Sequence, residues 1–99
     1  MDYGKHFSEH MRIALLRVLV GAPACKANSS ILHSAMDALG LTATRDQIRS
    51  ELAWLAEQRL VTTAEPGAGL VVATLTERGH DVAEGRTIAP GVQRPTPKG

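Results

Sequence analysis

Aromatic side chains are scarce in this chain of 99 residues: Tyr3, Phe7 and Trp54 make up 3% of it. Proteins that hold single-stranded nucleic acid stack successive bases on arrays of rings, and three rings are too few for such a platform. Single-stranded nucleic acid is therefore not the expected ligand. Cysteine occurs once, as Cys25, so no internal disulfide can form, in keeping with a reducing compartment. No apolar run approaches the roughly 20 residues needed to span a bilayer. The start MDYGKHFSEH also lacks the apolar core of a secretory signal, so a cytoplasmic location is expected. Missing too are a glycine-rich phosphate loop, a Gly-x-Ser-x-Gly turn and paired carboxylates beside a cleft signal. Neither an enzyme nor a bound cofactor is expected.

A strong excess of either charge is also lacking. The net charge is +1, but it is unevenly spread: residues 1–84 hold eight Lys or Arg against ten Asp or Glu, while the last fifteen residues carry Arg86, Arg94 and Lys98 with no acid. A protein that grips DNA mainly by neutralising phosphates shows a clustered basic footprint, and the body of this chain has none. The basic end can supply such contacts as an arm.

What is present is the composition of one folded domain, 43% hydrophobic and 21% charged. Phe7, Met11, Ala14, Leu15 and Val18 recur at helical spacing over residues 5–21, with Ile13, Leu16 and Val20 as a second stripe beside them. So wide an apolar arc must be covered on two sides, by the rest of the fold or by a second subunit. Asn28 and Ser29 can cap a second helix that carries Leu32, Ala35, Met36 and Leu39 and stops at Gly40. Thr44 opens a third with a Thr-x-x-Gln capping box, and Ile48, Leu52, Leu55 and Ala56 form its buried stripe. LVTTA and LVVATLT then bracket Glu65-Pro66-Gly67-Ala68-Gly69, the expected tip of a hairpin. A last short helix covers residues 77–84. Beyond it, Pro90, Pro95 and Pro97 without periodicity predict an extended tail, giving a domain over 1–85 and a basic, proline-rich tail over 86–99.

Three helices followed by a two-stranded hairpin and a short helix is the order of a winged helix-turn-helix: mainly α with a small β-hairpin, in the α+β class. The stretch TRDQIRSELAWLAEQRLV, with Leu52, Leu55, Leu60 and Val61, resembles the recognition helix and following strand of bacterial regulators of the ArsR and MarR kind. Leu75-Thr76-Glu77-Arg78-Gly79 resembles the LTxxG segment that closes their wing. The whole chain, from Asp2-Tyr3 to Ala89-Pro90-Gly91-Val92, resembles small ArsR-like proteins of Mu-like phages and prophages. The resemblance implies a DNA-binding regulator. Residues 44–58 contain no cysteine, which excludes metal sensing through the recognition helix as ArsR-type sensors practise it.

On that footing Arg45, Gln47, Arg49 and Ser50 are the expected contacts to duplex DNA, with Thr44 as the cap. Arg pairs bidentately with guanine, Gln with adenine, and Ser serves a base or a phosphate. The bland alternative is a solvated face on which Arg45 and Arg49 balance Asp46 and Glu51. Trp54 packs on the wing or first helix, or anchors a partner. Ile13, Leu16 and Val20 are the expected homodimer face, and such a dimer would read half-sites about one helical turn apart. The hairpin tip, with Glu65 and no base, suits a sheet-closing turn better than a DNA contact. A rival reading makes the chain an adaptor or inhibitor that binds a host or phage protein without touching DNA. His6 and His10 lie four apart, but no further metal ligands stand nearby, so no metal site is expected.

Overall fold

Each helix starts on a side chain that supplies the acceptor its first turn lacks. In the computed structural model, which describes residues 2–95, α1 (Tyr3–Gly21) is capped by Asp2 and α2 (Ser29–Ala38) by Asn28, whose Oδ1 accepts from Ile31 N–H at 2.9 Å. Helix α3 (Arg45–Glu57) has the full capping box: Thr44 Oγ1 accepts from Gln47 N–H at 3.1 Å, and Gln47 Oε1 accepts from Thr44 N–H at 2.8 Å. Caps of this kind each contribute about 1 kcal/mol. Thr76 plays the same part for α4 (Glu77–Ala83).

Three strands complete the chain: β1 (Lys26–Asn28), β2 (Val61–Gly67) and β3 (Leu70–Leu75), forming one antiparallel sheet in the order β1-β3-β2. Strand β1 enlarges the hairpin expected from the sequence to a sheet. Its three residues, Lys-Ala-Asn, are too few to show alternation; they pair with β3 through Ala27 opposite Ala73. The hairpin turn is tighter than its proline and glycine content suggests. Glu65, Pro66 and Gly67 belong to β2, and only Ala68 and Gly69 turn the chain, both with positive φ (56° and 71°). Two successive positive φ values match the twist of the flanking strands. Pro66 falls at a register shift on an edge strand, where a missing N–H costs nothing.

The turn from α2 to α3 is set by Gly40 at φ 79°, with Leu41 N–H donating back to Met36 O at 2.8 Å and Gly40 N–H to Asp37 O at 3.0 Å. Helix α3 ends in the same double bond pattern, Leu60 N–H to Leu55 O at 3.0 Å and Arg59 N–H to Ala56 O at 3.0 Å, but with Arg59 rather than glycine in the left-handed position. Leu15, Leu16 and Leu19 of α1, Leu32 and Met36 of α2 and Ile48, Leu52 and Leu55 of α3 are fully buried together with Leu60 and Ala73. Both stripes of α1 thus contribute to the core, with Phe7, Ala14, Val18 and Val20 left half-buried. Of the three residues expected at a homodimer face, Leu16 is wholly buried and Ile13 nearly so within the single chain, and Val20 is half-buried.

Residues 86–95 lie against the body. Ala89 and Val92 join the core, Gln93 N–H donates to Glu9 O at 3.2 Å, and Arg86 Nε pairs with Asp81 at 2.9 Å. Residues 96–99 of the expected tail lie outside the described residues. Among the described residues no helix is long and apolar enough to cross a membrane.

The Leu-Thr-x-x-Gly segment has a steric reason. The Thr76 hydroxyl lies 2.8 Å from Arg59 O and accepts from Gly79 N–H at 2.9 Å, drawing α4 onto the end of α3. A Cβ on Gly79 would stand 2.0 Å from Leu60 O. In an exposed helix Gly→Ala stabilises by about 1 kcal/mol. Here the backbone clash wins, and Gly79→Ala is expected to destabilise the fold by about 3 kcal/mol in urea unfolding, near the top of the range for overpacking. A variant as stable as the parent would show that α4 can lift off Leu60 at no cost.

Candidate nucleic-acid interface

The face of α3 opposite Ile48, Leu52 and Leu55 is uncovered: Arg45, Asp46, Gln47, Arg49, Ser50 and Ala53 are all exposed. Burial of the apolar stripe, together with the capping box, fixes the rotation of the helix and so decides which side is left to solvent. Arg49 does not project freely. Its Nη2 pairs with Asp46 on the same face, and its Nη1 donates to Gly69 O of the hairpin turn at 3.2 Å. Gln47 is also committed, because its Oε1 caps Thr44 N–H. The bidentate pairing with adenine expected of Gln47 needs that same oxygen, so base reading by this residue would require breaking the cap.

Arg45 and Arg49 form one wall of a small cleft of about 200 Å³. Ser29 and Ser30 at the start of α2 form another, and Ala68 and Gly69 of the hairpin turn a third. Ser29 is spoken for, since its Oγ accepts from Val71 N–H at 3.0 Å and so pins α2 to β3. Ser30, at the start of α2, lines the same cleft as the two guanidinium-bearing residues, and a helix start carries the positive end of its dipole. An anionic oxygen is the group such a cleft can hold. Ser30 and the hairpin turn are absent from the expected site residues because they come from segments distant in sequence; the Asn-Ser-Ser cap was the only trace. The hairpin itself adds no cation. Residues 61–75 contain Glu65 and neither Lys nor Arg.

Trp54 is covered from within. The Arg12 guanidinium carbon lies 3.9 Å from the ring centroid, and Gly91 lies so close that a Cβ there would stand 2.6 Å from Trp54 Cζ2. Arg12 also bonds Glu51 through Nε at 2.6 Å and Gly91 O through Nη1 at 2.9 Å. Of the two uses expected for Trp54, the chain realises packing against the first helix and its own C-terminal segment. Two of the four histidines are engaged as well: His10 Nδ1 bonds Gln93 Oε1 at 3.1 Å and His33 Nε2 bonds Ala43 O at 2.8 Å. No cluster of three His, Cys, Asp or Glu suited to a metal ion occurs among the described residues.

Four helices on a three-stranded antiparallel sheet, with one open polar helix face, define a small α+β domain. One of its relatives is a phage protein. The chain is 47% identical over 91 residues to the uncharacterized protein gp26 of Escherichia phage Mu, covering 92% of this chain and 93% of that protein. It is 36% identical over 78 residues to an uncharacterized protein of Haemophilus influenzae, covering 79% of this chain and 76% of that one. The chain belongs to this family of small Mu-like phage proteins. No protein-family model matches it. No solved structure matches it either.

Removing the Arg12 charge should leave Glu51, whose side chain is only 14% exposed, without its cation and Gly91 O without its donor. Arg12→Met keeps most of the stem and is expected to cost about 2–3 kcal/mol in urea unfolding. Adding Glu51→Gln should restore part of that loss. Equal stability of Arg12→Met and the parent would show the contact to be ornamental.

Proposed function

We propose that this protein is a winged helix-turn-helix regulator that binds duplex DNA through the open face of α3. One observation carries the proposal: the second helix of the helix–turn–helix, α3, has its apolar stripe fully buried and its arginine-bearing side exposed. The strand order β1-β3-β2, with β1 between α1 and α2, also suits a winged helix. Arg45, at the start of α3, and the first turn of α2 would hold phosphate; Arg49 and Ser50, farther along the face, would reach base edges. Asp46 works against this by pairing with Arg49 and repelling phosphate. Since Ile13 and Leu16 are core residues, the proposal is made for a single chain on a single half-site.

A second reading, a phage adaptor or inhibitor that binds a host or phage protein, draws on the hairpin. A wing bearing Glu65 and no cation gives DNA nothing to hold, and the charges of residues 2–95 cancel, ten against ten.

Fluorescence anisotropy with mixed-sequence duplex DNA separates the two. A regulator binds at low salt and loses affinity with a log–log slope of about −0.9 for each phosphate neutralised. Arg45→Ala should flatten that slope by about one, whereas Arg49→Ala should cost about 1–3 kcal/mol on preferred sequences and relax preference at one position. Asp46→Asn should tighten binding on every sequence. Absence of binding at 20–50 mM salt, about the least screened condition in practical use, would remove the regulator and leave the adaptor.

A further inference from the structure

A second concave surface lies away from the α3 face. A groove of about 470 Å³ follows α1 between the α2–α3 turn and the C-terminal segment. Its floor is apolar, made by Ile13, Ala14 and Val18 of α1 with Leu39 and Leu41 of the turn. Leu39 is 59% exposed although it stands beside these side chains, so the groove leaves a large aliphatic group open to water. The rim is cationic: Arg17 and Arg94 border the groove, and no carboxylate lines it. The ion pairs formed among the described residues are Arg12–Glu51, Arg49–Asp46 and Arg86–Asp81, and neither rim arginine takes part in one. In a body with ten cations against ten acids over residues 2–95, two arginines outside these ion pairs border one apolar trough.

The shape narrows the occupant further. From His10 to Val18 the groove runs along about two turns of α1, or about 12 Å. That length matches apolar anchors at i, i+4 and i+7 on a helix laid into it. Phosphate is a poor match for such a floor, because its oxygens would face five aliphatic side chains. We propose that this groove docks an acidic amphipathic helical segment of another protein, its apolar side on Val18, Leu39 and Leu41 and its carboxylates on Arg17 and Arg94. The proposal is independent of DNA binding, since no residue of α3 lines the groove.

The test is a display selection of random 12-residue peptides on the intact protein, with clones that also bind an Arg17→Glu/Arg94→Glu variant discarded. The fluorescein-labelled consensus peptide is then titrated by polarization. Expected is a consensus with apolar positions three or four apart flanked by Asp or Glu, a salt-sensitive affinity, and at least a tenfold loss with the double variant. A peptide with its acids replaced by Lys should regain binding to that variant. Both arginines are exposed, so the variant should keep its parent's thermal unfolding midpoint; should it not fold, methyl resonances of Val18, Leu39 and Leu41 in the unaltered protein must shift on adding the peptide. Recovery of basic or unpatterned peptides, or methyl shifts elsewhere, would overturn the proposal. So would sedimentation equilibrium showing a dimer that the double variant dissociates, because the occupant would then be a second copy of the chain.

Discussion

Arg12 is the point at which three distant stretches of this chain are joined. One edge of its guanidinium meets Glu51 of α3, another donor reaches Gly91 O of the C-terminal segment, and its plane lies over Trp54. A planar fork can satisfy a carboxylate, a carbonyl and a ring face at once; an ammonium could not serve all three. The contact commits one flank of α3 to α1 and brings residues 89–92 down onto the core, where Ala89 and Val92 are buried. The opposite flank stays exposed, bordered by the hairpin turn through the Arg49 bond to Gly69 O. The exposure of Arg45, Arg49 and Ser50 is thus a consequence of where Arg12 and the Ile48, Leu52, Leu55 stripe hold the helix.

That open flank is electrically mixed. Arg45 and Arg49 face the first turn of α2 across a cleft that suits an anion, while Asp46 ties up one guanidinium and the hairpin brings no cation. A surface of this kind gains little from long-range attraction and depends on short contacts with correct geometry. The groove beside α1 has the opposite character, an apolar floor with unopposed arginines at its rim. Two surfaces of different chemistry on one small domain give it room to meet two kinds of molecule.

Much of the architecture was legible because it rests on local chemistry. The capping box at Thr44 and Gln47, the stop at Gly40, and the periodic stripes of α1, α2 and α3 each state an element within a few residues. Strand β1 was not legible, since three residues carry no period and its pairing with β3 is a long-range fact. The end of α3 was readable only from Leu60 and Val61, because Arg59 takes the left-handed position where a glycine would have signalled it. The second stripe of α1 was ambiguous for a related reason: two apolar stripes on one helix do not say what covers the second, and here Ile13 and Leu16 turn into the chain's own core. The candidate site was legible as a helix face but not as a cleft. Ser30, Gly69 and the Arg49 contact to the turn meet only after the hairpin folds back.

The account turns on which surface meets a nucleic acid, and amide chemical-shift mapping with a short duplex addresses that residue by residue. Shifts confined to the start of α2, to residues 45–53 of α3 and to the hairpin turn at Ala68 and Gly69 are the predicted outcome. Shifts along α1 and residues 93–95 instead, or none at all with a duplex in excess, would contradict it.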